Sequence, residues 1–256
     1  MLQKRTTRWS ERVFVAEGLE LLRTALEAGQ PVESVYVAPE GVADAAIQKE
    51  CSRATGAGAR VFPLAPGVLE RVADTVTPQP VLSILSMMDD PSGAAALHPS
   101  SHPLVVVMVD VRDPGNAGTV LRTADASGAS SVVFSAESVD PYNPKTVRAS
   151  AGSIFHVPFC VEPDALALAS SLAERGYRTV ATVVGDGTDY TAVDWTQPTA
   201  VFLGNESAGL GSDLLGTMQG TVVIPMEGSA ESLNVGVACA VLCFEALRQR
   251  RLAAAR

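Results

Sequence analysis

The fold is decided by the apolar stretch LVVVMVDV, residues 104–111, and by four similar stretches that follow it. These are SVVFS (131–135), YRTVATVV (177–184), AVFLGN (200–205) and TVVIPM (221–226), with helical or loop segments between them. Near-continuous runs of Val, Ile and Leu that alternate with helices are typical of parallel strands covered on both faces. The second part of the chain is therefore predicted to be an α/β domain built on a parallel sheet.

The first part of the chain repeats this alternation with shorter strands. Its predicted helices cover 11–28, 42–55 and 66–74, and its predicted strands are VESVYVA (32–38), RVFPL (60–64) and VLSILSM (81–87), again in parallel sheets. The segment DDPSGAAALHPSSHP, residues 89–103, has no apolar period and is typical of a linker. We therefore expect a small α/β domain over 1–90, a linker over 91–102 and a larger domain over 103–256.

Composition narrows the class of protein. The chain has 256 residues, of which 47% are hydrophobic and 18% charged, as in ordinary globular proteins. Because the N-terminus is polar and basic and no apolar run is long enough to span a bilayer, we expect a cytoplasmic protein. Cys239 and Cys243 would share a helix face, but no further Cys or His is near in sequence. We therefore expect core thiols and no metal site.

The net charge of −9 is unfavourable for binding nucleic acid, because cationic side chains drive phosphate binding. The cations are nevertheless concentrated at the two ends of the chain, as Lys4, Arg5, Arg8 and Arg12 and as Arg248, Arg250, Arg251 and Arg256. Terminal clusters of this kind are most often solvated tails. They become relevant only if another feature indicates RNA.

Polar, glycine-marked turns follow three of the predicted strands. The first strand is expected to stop at Asp110, followed by a DPGN turn and a helix that begins near Ala117. The second turn follows the strand that ends at Gly204, and the third follows TVVIPM. The polar or otherwise unusual residues of these turns are Asn116, Arg122, Asn205, Glu206, Ser232, Leu233 and Asn234. Since ligands bind beyond the carboxyl ends of parallel strands, the three turns predict one site.

Each turn also has a plainer interpretation. Asn116, Ser232 and Asn234 stand where helix caps are expected, and Arg122 and Glu206 are compatible with an ordinary exposed surface. The glycine spacing is not GxGxxG, which is unfavourable for a nicotinamide-dependent dehydrogenase on a doubly wound sheet.

Three segments in this order resemble the signature motifs of the SpoU/TrmH family of RNA 2′-O-ribose methyltransferases. They are NAGTVLRTADASGA, FLGNESAGL and IPMEGSAESLNV, and KTVRASAGSIFHVPF (145–159) resembles the family's stretch between the first two. The resemblance covers residues 103–250. The N-terminal part is similar to the substrate-binding domain of ribosomal-RNA members, including the thiostrepton-resistance type.

The resemblance implies an α/β domain of the SPOUT fold with a deep trefoil knot, plus a small N-terminal α/β domain similar to a ribosomal-protein fold. It implies S-adenosylmethionine as cofactor, held at positions that match Leu203, Gly204, Ile224, Met226 and Leu233. Apolar side chains and main-chain groups suit an adenine ring, and this would explain why Leu233 is apolar between polar neighbours.

The catalytic and RNA-handling positions implied by the resemblance are Asn116, Arg122, Glu206, Ser232 and Asn234, with no metal. Arg122 would activate the ribose hydroxyl or stabilise the forming alkoxide, because a guanidinium with a pKa above about 12 is a poor base by itself. The basic residues expected to contact RNA are Lys4, Arg5, Arg8, Arg12 and Arg148.

Family members are homodimers whose last helix packs across the interface, and the partner completes the active site. Gly236, Ala238 and Ala240 would then allow close approach of the two subunits. We expect ribosomal RNA as the substrate, with a possible role in resistance to ribosome-targeting antibiotics. The alternative is a non-catalytic RNA-binding or ribosome-assembly protein on the same fold.

Overall fold

The computed structural model describes residues 2–72, 78–88, 97, 104–135 and 137–255. The chain divides into two compact units. The first consists of Met1–Asp89 and Asp140–His156, and the second of Asp90–Val139 and Val157–Arg256. The segment Asp140–His156, which the sequence analysis placed in the second domain, therefore packs with the first unit. Apart from Leu97, the predicted linker over 91–102 lies outside the described residues.

The first unit is built on a four-stranded sheet in the order β1-β4-β2-β3. Its strands are β1 (Val13–Glu17), β2 (Val32–Val37), β3 (Arg60–Pro63) and β4 (Val81–Ser86). Its helices are α1 (Arg5–Glu11), α2 (Leu19–Glu27), α3 (Ala45–Gly56), α4 (Leu69–Val72) and α6 (Pro144–Ala149). Strand β4 pairs antiparallel with β1 and β2, and only β2 and β3 pair in parallel. The prediction of parallel sheets throughout the chain is therefore wrong for this unit.

The predicted helix over 11–28 is also wrong in its first half, where the chain forms β1. From Phe14 to Glu17 the burial of VFVAE alternates as in a strand, and its five residues pair in register with Ser86 to Leu82 of β4. Gly18 then adopts a φ of 107°, a backbone conformation that glycine takes without steric cost, and α2 begins at Leu19.

A buried ion pair ties the segment Asp140–His156 to the rest of the first unit. Arg8 of α1 is only 2% exposed, and its Nε donates to Asp140 Oδ2 at 3.0 Å, with Nη2 also bonded to the same oxygen. Trp9 Nε1 donates to the other carboxylate oxygen at 3.2 Å. The Arg8 Nη1 group donates to the main-chain oxygens of Leu2 and Gln3 at 2.7 and 2.8 Å.

The second unit is built on a seven-stranded sheet in the order β7-β6-β5-β10-β8-β11-β9, and every neighbouring pair is parallel. The parallel sheet predicted for this part of the chain is therefore confirmed. Its strands are β5 (Leu104–Met108), β6 (Ser131–Ser135), β7 (Phe159–Glu162), β8 (Arg178–Thr182), β9 (Thr188–Asp189), β10 (Thr199–Leu203) and β11 (Gly220–Val223). The helices are α5 (Pro114–Ser127), α7 (Ala165–Glu174), α8 (Ser212–Leu215) and α9 (Val235–Ala254).

The central strands are buried on both faces, as continuous apolar runs require: all residues of β5, β6 and β10 are buried. Sequence analysis missed β7 and β9, which have only four and two residues. Within the described part of the chain, no helix combines the length and the hydropathy needed to cross a bilayer.

Helices α5 and α9 pack closely, and Gly236 makes that contact possible. It is buried, and a Cβ added to it would lie 2.8 Å from Thr119 Cγ2 on α5. The small residue at 236 thus serves a contact within the chain, which corrects the expectation that it serves approach to a second subunit.

Candidate active site

The three turns singled out in the sequence lie at the same edge of the parallel sheet. Strands β5 and β10 are direct neighbours, and β8 alone separates β10 from β11. Because all these strands are parallel, their carboxyl ends point to one side of the sheet. The sheet topology therefore brings the three turns to one edge, as the sequence predicted.

A chain of side-chain hydrogen bonds joins one residue from each turn. Asn234 Nδ2 donates to Asn116 Oδ1 at 2.8 Å, and Asn116 Nδ2 donates to Glu206 Oε1 at 2.6 Å. The donors all point the same way, from Asn234 through Asn116 to the Glu206 carboxylate. A bond that ends on an ionised group is stronger than one between neutral groups, and neighbouring bonds polarise each other. The three residues therefore form one oriented polar unit at the surface of the sheet edge.

Capping residues hold two members of this unit in place. Helix α5 begins at Pro114, and Asp113 is its N-cap, with Oδ1 accepting from the Asn116 main-chain N at 2.8 Å. The expectations of a helix start near Ala117 and of an Asn116 cap are wrong, and the Asn116 side chain is instead available to the site. Asn234 does cap α9, since its Oδ1 accepts from the Gly236 and Val237 nitrogens at 2.9 and 3.3 Å.

The loop after β10 positions Glu206 by folding back on its own backbone. Asn205 and Gly209 exchange main-chain hydrogen bonds of 3.1 and 2.9 Å across this loop. A Cβ at position 204 would lie 2.4 Å from the Gly209 carbonyl carbon, so only glycine fits there. Asn205 also donates from Nδ2 to the Asp110 carbonyl at 3.0 Å, which links this loop to the turn after β5.

The residues expected to bind the cofactor differ in whether their side chain or only their main chain is accessible at the sheet edge. Leu203 is 1% exposed within the sheet core, so only its main chain is near the sheet edge. Strand β11 ends at Val223, so Ile224 and Met226 belong to the following loop rather than to the strand, and both are half-buried. Leu233, which directly precedes Asn234, is 36% exposed, so part of its apolar side chain is open to solvent. With Gly204, these residues offer backbone groups and partly exposed apolar side chains beside the polar unit.

Arg122 and Ser232 are not part of the hydrogen-bonded unit. Both are exposed, and neither has a hydrogen-bond or ion-pair partner among the described residues. Arg122 lies six positions after Asn116 on α5, so the two side chains leave the helix in directions about 120° apart. Arg122 is therefore presented to solvent rather than to Asn116.

The five basic residues expected to contact RNA fall into different environments. Lys4, Arg5 and Arg12 are exposed, and the Arg5 guanidinium lies 5.8 Å from the centre of the Trp9 ring. Arg8 is buried against Asp140, so it is a structural residue and its assignment to RNA is wrong. Arg148 is 38% exposed and lies 3.4 Å from Glu17 Oε2, which compensates part of its charge.

Cys239 and Cys243 are buried core thiols on α9, as expected, with their sulfur atoms 3.7 Å apart. The hydrogen bond to Cys243 and burial raise the pKa of Cys239, which therefore stays protonated at neutral pH. In the described ranges, no group of three or more His, Cys, Asp or Glu side chains is arranged to hold a metal ion.

Comparison with known proteins defines the class of this chain. Residues 103–244 match the SpoU rRNA Methylase family, and residues 1–83 match the MRM3-like substrate binding domain. These matches cover the two parts of the chain that the sequence analysis separated. The chain that carries this site is therefore an RNA methyltransferase.

Relatives of known sequence and structure agree over nearly the whole chain. The 23S rRNA (guanosine(2553)-2′-O)-methyltransferase of Bacillus subtilis is 30% identical over 95% of this chain and 92% of its own. The structure of the SpoU methyltransferase AviRb from Streptomyces viridochromogenes in complex with AdoMet superposes with a TM-score of 0.88 and 28% identity, over 98% of this chain and 95% of that one. The structure of the AdoMet-bound rRNA methyltransferase from Sinorhizobium meliloti gives a TM-score of 0.84 and 31% identity, over 96% and 91%. The chain belongs to the SpoU rRNA methylase family, which confirms the resemblance and the fold class inferred from the three motifs.

Sequence analysis gave no role to Asp113, and it named Asn205 and Asp110 without predicting what they do in this site. Asp113 caps α5, Asn205 links two turns, and Asp110 takes a φ of 57° two residues after β5 ends. Pro114 at the first helical position is a known signal for a cap one residue earlier, and Asp is among the residues that tolerate positive φ. Asp113 was therefore predictable from the sequence, whereas the partner of Asn205 was not.

Proposed function

We propose that the protein transfers a methyl group from S-adenosylmethionine to the 2′-hydroxyl of a ribose in 23S ribosomal RNA, in the cytoplasm. The observation that carries the proposal is the oriented unit Asn234–Asn116–Glu206. It lies at the carboxyl edge of the parallel sheet in a chain that belongs to the SpoU rRNA methylase family. The polar residues of all three turns are intact, which favours an enzyme over a non-catalytic RNA-binding protein on the same fold.

The residues at the sheet edge fit S-adenosylmethionine. An adenosyl group needs apolar walls and main-chain donors and acceptors. Leu233, Ile224 and Met226 supply partly exposed apolar surface, and Gly204 leaves its backbone uncovered by a side chain. When bound there, the cofactor supplies an electrophilic methyl group carried on a positively charged sulfur.

The chain's own residues contribute position and electrostatics. The unit Asn234–Asn116–Glu206 fixes the geometry at the sheet edge, because each amide is held by at least two hydrogen bonds. Alignment of reactants is worth about 7–11 kcal/mol of barrier in favourable cases. Arg122 provides an uncompensated positive charge that stabilises the negative charge developing on the ribose oxygen, whose proton passes to a phosphate oxygen of the RNA substrate.

The first unit supports RNA as the substrate. It matches a substrate binding domain, and Lys4, Arg5 and Arg12 are exposed on or beside α1. Local cations of this kind attract phosphates even though the whole chain is acidic. A role in antibiotic resistance stays a prediction.

We also infer a homodimer in which the second subunit supplies Arg122 to the site. Helix α9 leaves Val237, Phe244 and Leu252 exposed by 49%, 48% and 54% at spacings of seven and eight residues. These spacings place the three side chains on one stripe of the helix, as at a helical interface. The trefoil knot expected for the SPOUT fold belongs to the same proposal.

The proposal is tested by transfer of a tritiated methyl group from S-adenosylmethionine to deproteinised 23S rRNA, followed by mapping of the modified ribose by primer extension at limiting nucleotide. Arg122→Ala is expected to lower transfer at least about 100-fold, the usual effect of removing one transition-state donor. Arg112→Ala is the matched control, since Arg112 is exposed and already paired with Asp110 at 2.6 Å. Equal rates for wild type and Arg122→Ala would exclude the catalytic role.

A further inference from the structure

The first unit contains a cavity of about 410 Å³ that the site described above does not use. Its floor is one face of the four-stranded sheet, with Val15, Tyr36 and Ile84, and its wall is α4, with Leu69 and Arg71. A volume of this size lies in the range of pockets that hold small organic groups. All of its lining residues belong to the first unit.

An aromatic side chain is held in place at the floor of the cavity. The Tyr36 ring stacks on Phe62, with ring centres 5.4 Å apart and planes 21° from parallel. The Arg60 guanidinium lies 5.8 Å from the Phe62 ring centre, on the far member of this pair. A ring supported in this way offers a rigid surface at low entropic cost, which is the property that base-stacking sites use.

The charges around the cavity favour an anionic partner. Arg71 lines it, and Lys4 and Lys145 follow the lining residues Gln3 and Pro144 directly in sequence. All three cations are exposed, and within the described ranges their side chains form no hydrogen bond or ion pair, although Glu70 directly precedes Arg71 in the sequence. The acid at the cavity, Glu17, is already engaged by Arg148.

We propose that this cavity receives one unpaired nucleobase of the RNA substrate, stacked against Tyr36, with neighbouring phosphates on Arg71, Lys4 and Lys145. The proposal rests on the proposed function for the identity of the polymer. It assigns to the first unit a stacking site for single-stranded RNA. Because stacking is tolerant of sequence, the cavity selects an unpaired nucleotide rather than a particular base.

Binding to a fluorescein-labelled 12-nucleotide single-stranded RNA, compared with the same sequence as a 12-base-pair duplex, tests the proposal. Wild type is expected to prefer the single strand. Tyr36→Leu is expected to raise the Kd for the single strand about 5- to 100-fold, and Tyr36→Phe, which keeps the ring, about twofold at most. Equal affinity for strand and duplex, or an unchanged Kd in Tyr36→Leu, would overturn the proposal.

Two further variants separate the cavity from other causes of weaker binding. Phe62→Leu removes an aromatic ring that does not line the cavity, so it is expected to change the Kd less than Tyr36→Leu, and an equal effect would place the site elsewhere. Arg71→Gln changes an exposed side chain that cannot unfold the unit, and it is expected to reduce the slope of log K against log salt by about 0.7. An unchanged slope would remove Arg71 from the site.

The two proposals fail separately. S-adenosylmethionine binding, measured by calorimetry, is expected to be unchanged in Tyr36→Leu because the cofactor residues lie in the second unit. The far-UV circular dichroism spectrum of the variant, expected to match that of wild type, shows that the first unit is folded. In methyl transfer to 23S rRNA, Tyr36→Leu is expected to raise the KM for RNA with kcat unchanged. A wild-type protein that binds the single strand through Tyr36 but transfers no methyl group would refute the proposed function and leave the cavity assignment standing.

Discussion

Replacing Gly204 by alanine tests how the loop after β10 holds the site. The added Cβ would lie 2.4 Å from the Gly209 carbonyl carbon, 2.6 Å from its oxygen and 2.7 Å from the Leu210 nitrogen. All three are backbone atoms, so no side-chain rotation relieves the overlap. Carbon atoms in contact sit about 3.5–4.0 Å apart, so the loop must move by about 1 Å.

That displacement has two consequences of different size. Overpacking of this kind costs about 1–3 kcal/mol of unfolding free energy. A shift of about 1 Å would also lengthen the 2.6 Å bond between Asn116 and Glu206 beyond hydrogen-bonding distance. We therefore expect Gly204→Ala to lose S-adenosylmethionine binding and methyl transfer while the chain stays folded.

Urea unfolding and calorimetric titration with S-adenosylmethionine measure both effects. Gly211→Ala is the matched control from the same segment, because a Cβ at position 211 meets no atom within 4 Å and its φ is −62°. It is expected to bind cofactor normally and to change stability by less than about 1 kcal/mol. If Gly204→Ala binds and unfolds like wild type, the loop is not constrained as the structure indicates.

Three further changes test separate parts of the structure. Phe244→Glu is expected to convert a dimer to monomer in analytical ultracentrifugation, because it places a charge in the exposed stripe of α9; a dimer that persists would exclude this face. The double variant Lys4→Ala with Arg5→Ala is expected to reduce the salt slope of single-stranded RNA binding by about 1.4, at about 0.7 for each lost phosphate contact, and an unchanged slope would show that these two are solvated side chains. Asp140→Ala leaves the Arg8 charge buried without its carboxylate, so urea unfolding should show a loss of about 3–5 kcal/mol; a loss below about 1 kcal/mol would mean that water reaches Arg8.

The sequence predicted the second unit better than the first for a physical reason. Strands such as LVVVMVDV are buried on both faces, so their apolar pattern is continuous and the parallel arrangement brings their turns to one edge. Strand β1 is half-buried, and its residues VFVAE directly precede the apolar pattern of α2. The apolar residues of the two segments were therefore interpreted as one continuous helix. Gly18 was the only local sign of the boundary.

Side-chain partners were less predictable than positions. Gly236 indicated a close approach in α9 but not the partner, which is Thr119 of the same chain. Arg8 looked like its basic neighbours in sequence, yet it is buried because Asp140, 132 residues away, lies beside it. Contacts over such separations depend on the completed fold, and no local pattern contains them.

The exposed position of Arg122 leads to a prediction about the assembled enzyme. Asn116 and Arg122 leave α5 in directions about 120° apart, so a site that needs both would draw them from two subunits. Two inactive variants, Asn116→Ala and Arg122→Ala, would then complement each other. A heterodimer places both changes in one of its two sites and leaves the other intact.

Co-expression with two different affinity tags allows the heterodimer to be purified and assayed for methyl transfer to 23S rRNA. One intact site of two gives about half of the wild-type rate, whereas either homodimer remains inactive. The heterodimer of Arg112→Ala with wild type controls for the effect of the tags. If the site is instead built within one chain, each site of the Asn116→Ala and Arg122→Ala heterodimer lacks one residue, and no activity returns.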